Sequence, residues 1–381
     1  MIIRHPQRVP LLAMGMVALL AGLGAGLLRL GWDLPLLPPA LAAMHGPLMV
    51  SGFLGTLISL ERAVALGSRW AYAAPLLSGL GGLALIAGLP YQAAQAVILA
   101  GNLGLLAIFL VIIHRRPDLH TVTMGFGALA WLMGNLLWLL GWPVHQVVFW
   151  WAGFLVVTIA GERLELARLQ LLSRASHTLF LLTLGSLFAG LILMAMSFEW
   201  GGRVVGAGLA GLALWLGRHD IARRTVRQAG LTRFIAVSLL SGYAWLGISG
   251  LLAVVFGGVP AGPRYDAMLH AFFLGFVFAM IFAHAPIIFP AVLGGRMSFR
   301  PLFYAHVVLL QATLVLRLAG DVAGWLPGRQ VGGLLNALAL LLFLANTVAA
   351  LVKPAPRVAP VKTGRSETLQ ETAVGFLDGK E

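Results

Sequence analysis

The 381-residue chain contains no cysteine. That excludes disulfides, thiolate metal sites, iron–sulfur clusters and covalent haem attachment. Charge is also scarce. Charged residues make up 10% of the chain and hydrophobic residues 60%, whereas a soluble domain is about 25% charged. A chain of these proportions is an all-α polytopic membrane protein, with lipids as its first partners. The net charge of +13 invites a nucleic-acid reading. The basic residues, however, sit in short loops between apolar segments, which is a topology signal and not a binding patch. No nucleic-acid partner is expected. The first apolar run follows Arg4 and Arg8 and extends to Leu30. It is too long for a cleavable signal and reads as an anchor.

Twelve apolar segments are long enough to be read as membrane helices. Their limits are 10–30, 40–60, 71–89, 93–113, 121–140, 144–161, 177–197, 203–217, 232–256, 265–289, 302–319 and 331–352. One set of alternate loops carries most of the basic residues, from Arg4 and Arg8 through Arg62, Arg115, Arg163, Arg223 and Arg300 to Lys353. The other set carries only Arg203, Arg264 and Arg329, and holds Trp32, Trp142, Trp200 and Trp325. Both termini are therefore expected in the cytoplasm, with the tryptophans in the opposite interface. Residues 1–352 form one transmembrane domain on this reading. Residues 353–381 are polar, contain Pro354, Pro356 and Pro360, and are expected to be a disordered cytoplasmic tail.

An internal repeat runs through the segments. Gly52–Arg62 reads GFLGTLISLER and Gly153–Arg163 reads GFLVVTIAGER, 101 residues apart. In the tenth segment Gly275 and Phe276 match the start of the pattern, and His284 stands where the others have Glu61 and Glu162. These three segments lie four apart in the order. The spacing suggests three four-helix units around a pseudo-threefold axis.

The candidate chemistry lies in histidines inside the spans. His45 lies near the outer end of the second span and His270 near the outer end of the tenth, so the two imidazoles share a depth. Two neutral imidazoles on facing helices can ligate a haem iron from both sides. Gly46 and Gly52 would let a flat macrocycle approach. The plainer reading is two histidines hydrogen-bonded to neighbouring helices. Fourteen positions separate His270 from His284, which on a straight helix puts them ~21 Å apart and about 40° from a common face. His284 and His306 share a depth at the cytoplasmic side and are candidates for a second metal site, copper or haem, or for a proton path. Glu61 and Glu162 read as interfacial charges reaching for water. His145 touches the interface, and His5, His114, His120, His177 and His219 read as solvated. Arg264, Arg317 and Arg203 are candidate partners for haem propionates, or for lipid headgroups.

Taken together, the twelve spans, the threefold period and the histidines in spans two and ten resemble subunit I of the haem–copper oxidases. Closer in texture is the NnrS family of bacterial inner-membrane proteins. This chain resembles it in a His-containing early span with Gly52 and Phe53, and in the late LHAFFLGF motif, Leu269–Phe276. That resemblance implies bound haem b, copper as a further metal, and a role linked to nitric oxide or another small diatomic ligand and to nitrosative stress. Two departures separate the chain from the oxidases. It has no adjacent histidine pair in the seventh span, where His177 stands alone at the edge, and its tenth span lacks two histidines one residue apart. Oxygen reduction at a copper site of that kind is not expected. The alternatives are a twelve-helix secondary transporter and an assembly protein that handles haem.

Overall fold

The computed structural model describes residues 5–167, 172–294 and 297–352. The segment read as a polar tail lies outside them. Among the described residues there is no strand. We number the long helices α1 Val9–Arg29, α2 Pro39–Leu66, α3 Ala73–Ile86, α4 Tyr91–Arg115, α5 Leu119–Leu139, α6 Val144–Ala167, α7 Arg174–Leu193, α8 Phe198–His219, α9 Gly230–Phe256, α10 Pro263–Leu293, α11 Phe303–Val322 and α12 Leu326–Val352. Ten of them are long and apolar enough to cross a membrane. The other two are α3, with 14 residues, and α8, which carries Glu199, Arg203 and Arg218. The chain is an all-helical, multi-pass membrane protein.

Helices adjacent in sequence pack as neighbours, as short connections require: α3 with α4, α4 with α5, α5 with α6, α7 with α8, α8 with α9, and α11 with α12. Small residues set the closest approaches. A Cβ on Gly206 of α8 would sit 2.6 Å from Val254 N and 2.7 Å from Gly250 O on α9. The two backbones therefore touch with no side chain between them, the packing that membrane helices use where no hydrophobic force separates helix from lipid. The centre belongs to α6 and α10. In each, 72% of the apolar window is buried, against 33% in α4 and α7.

Two helices are irregular, and they are the two that carry His45 and His270. In α2 a 3-10 stretch, Pro39–Met44, leads into His45, and Leu48–Gly55 is π-helical. In α10, Gly262 turns the chain at φ 91° and Pro263 takes the first helical position, where its missing N–H costs nothing. The stretch Ala271–Val277, directly after His270, is π-helical. Phe278 N–H accordingly donates to Phe273 O, five residues back. Each π turn contains the Gly-Phe pair of the repeat. A widened turn holds an extra residue and rotates all that follows by ~100°. The common face expected for His270 and His284 assumed an unbroken α-helix, and the π segment between them removes that assumption.

Candidate functional site

Glycines on α1 make room for the first imidazole. Gly22 and Gly26 lie one turn apart and leave a groove against α2. A Cβ on Gly26 would come within 2.9 Å of His45 Cε1. In this groove His45 Nδ1 lies 2.8 Å from Gly22 O. A carbonyl only accepts, so Nδ1 carries the proton and Nε2 keeps its lone pair. The second imidazole is fixed from its own helix. His270 Nδ1 lies 2.9 Å from Asp266 O and 3.2 Å from Asp266 Oδ1, one turn earlier. Both partners accept, so in the neutral ring the proton sits on Nδ1 and Nε2 has the lone pair. The rings of His45 and His270 have centroids 6.2 Å apart and planes 20° from parallel. Neither Nε2 has a hydrogen-bond partner among the described residues.

Both rings border a cavity of about 190 Å³ between α1, α2, α6, α10, α11 and α12. Its walls are largely apolar, with Met49, Val148, Leu269 and Phe273 among them, and exposed Arg29, Ala261 and Gly262 lie at its mouth. One side is charged. Arg317 on α11 donates twice to Asp266, Nε to Oδ2 at 2.9 Å and Nη2 to Oδ1 at 3.0 Å. Arg329 on α12 pairs with Asp266 Oδ1 at 3.4 Å and with Asp321 Oδ1 at 3.0 Å. The Asp321 side chain is fully buried. Asp266 is thus shared by an imidazole and two guanidiniums, which is how a carboxylate inside an apolar bundle is tolerated.

The other residues singled out in the sequence are distributed differently. Arg264 is exposed, lies over the Phe256 ring at 5.4 Å, and is absent from the cavity lining. Arg203 bonds Val254 O and Glu199. Gly46 lines the cavity, but Gly52 packs against Ala18 and Gly82 instead. His284 and His306 make no ring contact with each other. His284 Nε2 lies 2.8 Å from Arg163 Nη2, and its Nδ1 bonds Met280 O. Guanidinium nitrogens only donate, so the His284 lone pair is already taken. His306 is 1% exposed, and its Nδ1 is 3.2 Å from Asn346 Nδ2. Its ring sits among Phe234, Phe282, Phe303 and Phe343. Among the described residues no group of three His, Cys, Asp or Glu is placed to hold a metal ion.

At the opposite end of the bundle the repeat acquires a physical meaning. Arg62 of α2 bonds Glu162 of α6 as well as its own neighbour Glu61. Arg163 of α6 in turn bonds His284 of α10. In each link the arginine of one repeat meets the repeat-equivalent position of the next. Arg163 also faces Asp220 at 3.9 Å, and Asp220 accepts from Tyr243 at 2.6 Å. Glu61 and Glu162, expected to reach for water, are half-buried, and both pair with Arg62. His120, expected to be solvated, is 6% exposed with its Nε2 3.7 Å from Glu165. His219, also read as solvated, bonds Ser176 and Trp215 O.

The sequence reading passed over Gly22, Gly26, Arg29 and Asp321, and met Arg329 only as a loop charge. Asp266 was visible one helical turn before His270. The others sit on helices whose contact with α2 or α10 no local pattern announces. The model of a family described as a domain of unknown function, DUF8744, matches residues 8–352, and the chain belongs to that family. No curated protein matches the chain.

Proposed function

We propose that this DUF8744-family chain is a haem-binding membrane protein, with haem b ligated between His45 and His270. The paired imidazoles carry the reading. Two imidazole–metal bonds of ~2 Å and two ring radii of about 1.1 Å add to ~6.2 Å between ring centroids when one metal lies on the line joining them. The observed separation is 6.2 Å, and the planes are nearly parallel. Each Nδ1 is committed to an oxygen, the outer-sphere contact that fixes tautomer and ring orientation in metal-ligating histidines. The cavity volume of about 190 Å³ is smaller than a macrocycle. Occupation would therefore require lining side chains, the flexible Met49 among them, to move.

Bound there, haem supplies a one-electron couple. The chain's part is to hold the iron from both sides in an apolar cleft. The link to nitric oxide or nitrosative stress rests on the NnrS resemblance. Copper at His284 and His306 gains no support from their surroundings. A transporter reading draws on the Asp266–Arg317–Arg329–Asp321 network, because buried charges beside a cavity also suit ion-coupled transport. Haem content separates the two. Detergent-purified protein is expected to carry one haem per chain with a Soret band that survives purification. Protein that is haem-free after expression with haem supplied sinks the reading.

We place the protein in a bacterial inner membrane with twelve spans in three four-helix units and both ends cytoplasmic. The Arg62–Glu162 and Arg163–His284 links support the threefold order, since each joins equivalent positions of successive units. The His45 and His270 end then faces the periplasm. A reporter fused after Glu381 should be active only as a cytoplasmic fusion, and periplasmic activity would overturn the span count.

A further inference from the structure

We propose that the mouth of the cavity is a carboxylate-binding subsite, in which Arg29 and the uncommitted edges of Arg317 and Arg329 take the two acidic side chains of the bound macrocycle. The proposal deepens the haem reading and rests on it for the identity of the ligand. It begins from a count of charge. Arg29, Arg317 and Arg329 border the cavity, and Asp266 is the one carboxylate among the lining residues. Positive charge is left in excess beside walls that are otherwise apolar. Ferric haem with both carboxylates ionised carries one net negative charge, so its arrival would reduce that excess. An apolar cleft inside a membrane favours that balance, because an uncompensated charge there is costly.

The donors left free lie in the right place. Arg29 ends α1 at the exposed mouth and has no hydrogen bond or ion pair among the described residues. Arg317 spends Nε and Nη2 on Asp266 and leaves Nη1 unused. That Nη1 lies 3.4 Å from where a Cβ on Gly333 would sit, and Gly333 itself lines the cavity. Arg329 is ion-paired with the two aspartates through Nε and Nη2, and its Nη1 makes no hydrogen bond or ion pair among the described residues. Guanidinium edges pair with carboxylates in charge-assisted, two-point contacts. A macrocycle held by His45 and His270 would occupy the cavity that these donors border, which would put its carboxylates within their reach. Arg264, exposed over Phe256, takes no part.

The test uses protoporphyrin IX, which has both carboxylates and no metal, and its dimethyl ester, which has neither charge. Binding to haem-depleted, detergent-purified protein is followed by porphyrin fluorescence. The free acid is expected to bind at least roughly ten-fold more tightly than the ester, the size of one charge-assisted contact. Arg29→Gln, at an exposed position where folding is not at stake, should weaken the acid by about that factor and leave the ester unchanged. The double variant His45→Ala/His270→Ala separates this proposal from the haem reading. Metal-free porphyrin needs no axial ligand, so its acid-over-ester preference should persist there. Should the wild-type protein never form low-spin haem while this preference and its loss in Arg29→Gln remain, the subsite stands and the axial reading falls. Equal binding of acid and ester, no binding of either, or an Arg29→Gln variant that keeps the preference overturns the subsite. An equal loss of both ligands in Arg29→Gln also overturns it and marks Arg29 as a lipid-headgroup contact.

Discussion

If haem is held as proposed, His45→Ala and His270→Ala should each remove the low-spin haem spectrum. One imidazole cannot hold an iron six-coordinate, so either deletion leaves a five-coordinate or water-ligated high-spin centre, or none. The two variants should nevertheless differ in degree. His45 is held by a single contact to Gly22 O on another helix. His270 is held by the backbone and the carboxylate of Asp266, and a carboxylate partner raises the basicity of a metal-bound imidazole. On the proposed reading His270 would therefore be the stronger ligand, and its loss should lower haem content by more than the roughly ten-fold that loss of outer-sphere support alone costs. His45→Ala should retain haem in a high-spin form, and added free imidazole should restore the low-spin spectrum by filling the space the side chain left against Gly26. Absorption spectra and haem assays on matched amounts of folded protein decide the matter. An unchanged low-spin spectrum in either variant removes that residue as a ligand.

Why the His45–His270 pair could be read from the sequence, while its surroundings could not, follows from how each is encoded. Membrane depth is a one-dimensional property. Counting inward from the start of an apolar run places His45 and His270 at one level, and the structure brings their rings together. Azimuth is not encoded so simply. The sequence reading assigned 100° to every residue of the tenth span, and the π turn at Ala271–Val277 breaks that rule between His270 and His284. His284 consequently meets Arg163 on α6, while His306 sits in an aromatic box. The repeat was legible as a string of letters, but its chemistry was not. The Glu-Arg pairs looked like interfacial charges because sequence shows only the neighbours along the chain, and their partners lie one repeat away. The roles of Arg29 and Arg329 escaped for the same reason. Each closes or opens a helix, where a basic residue usually needs no explanation beyond topology. Their meeting at one cavity depends on α1 and α12 packing side by side.

Asp266→Ala is expected to be the most destabilising single change near the site. The carboxylate is the shared partner of Arg317, Arg329 and His270. Removing it leaves the Arg317 guanidinium, whose side chain is only 8% exposed, without an anion. Breaking one side of a buried pair costs about 3–5 kcal/mol, because the remaining charge is stranded and not because the pair itself was strongly stabilising. That distinction yields the control. In Asp266→Ala/Arg317→Leu both charges are gone and an apolar side chain fills part of the space, so most of the lost stability should return. Thermal unfolding in detergent reads the difference: a large drop in midpoint for the single variant and a much smaller one for the double. The double variant then isolates the contribution to the imidazole. His270 keeps its backbone acceptor, Asp266 O, which needs no carboxylate, so low-spin haem should persist with weaker retention. A single variant as stable as the wild type, or a double variant no better than the single, would mean that Arg317 does not depend on Asp266 and that the network around the cavity is assembled by other contacts.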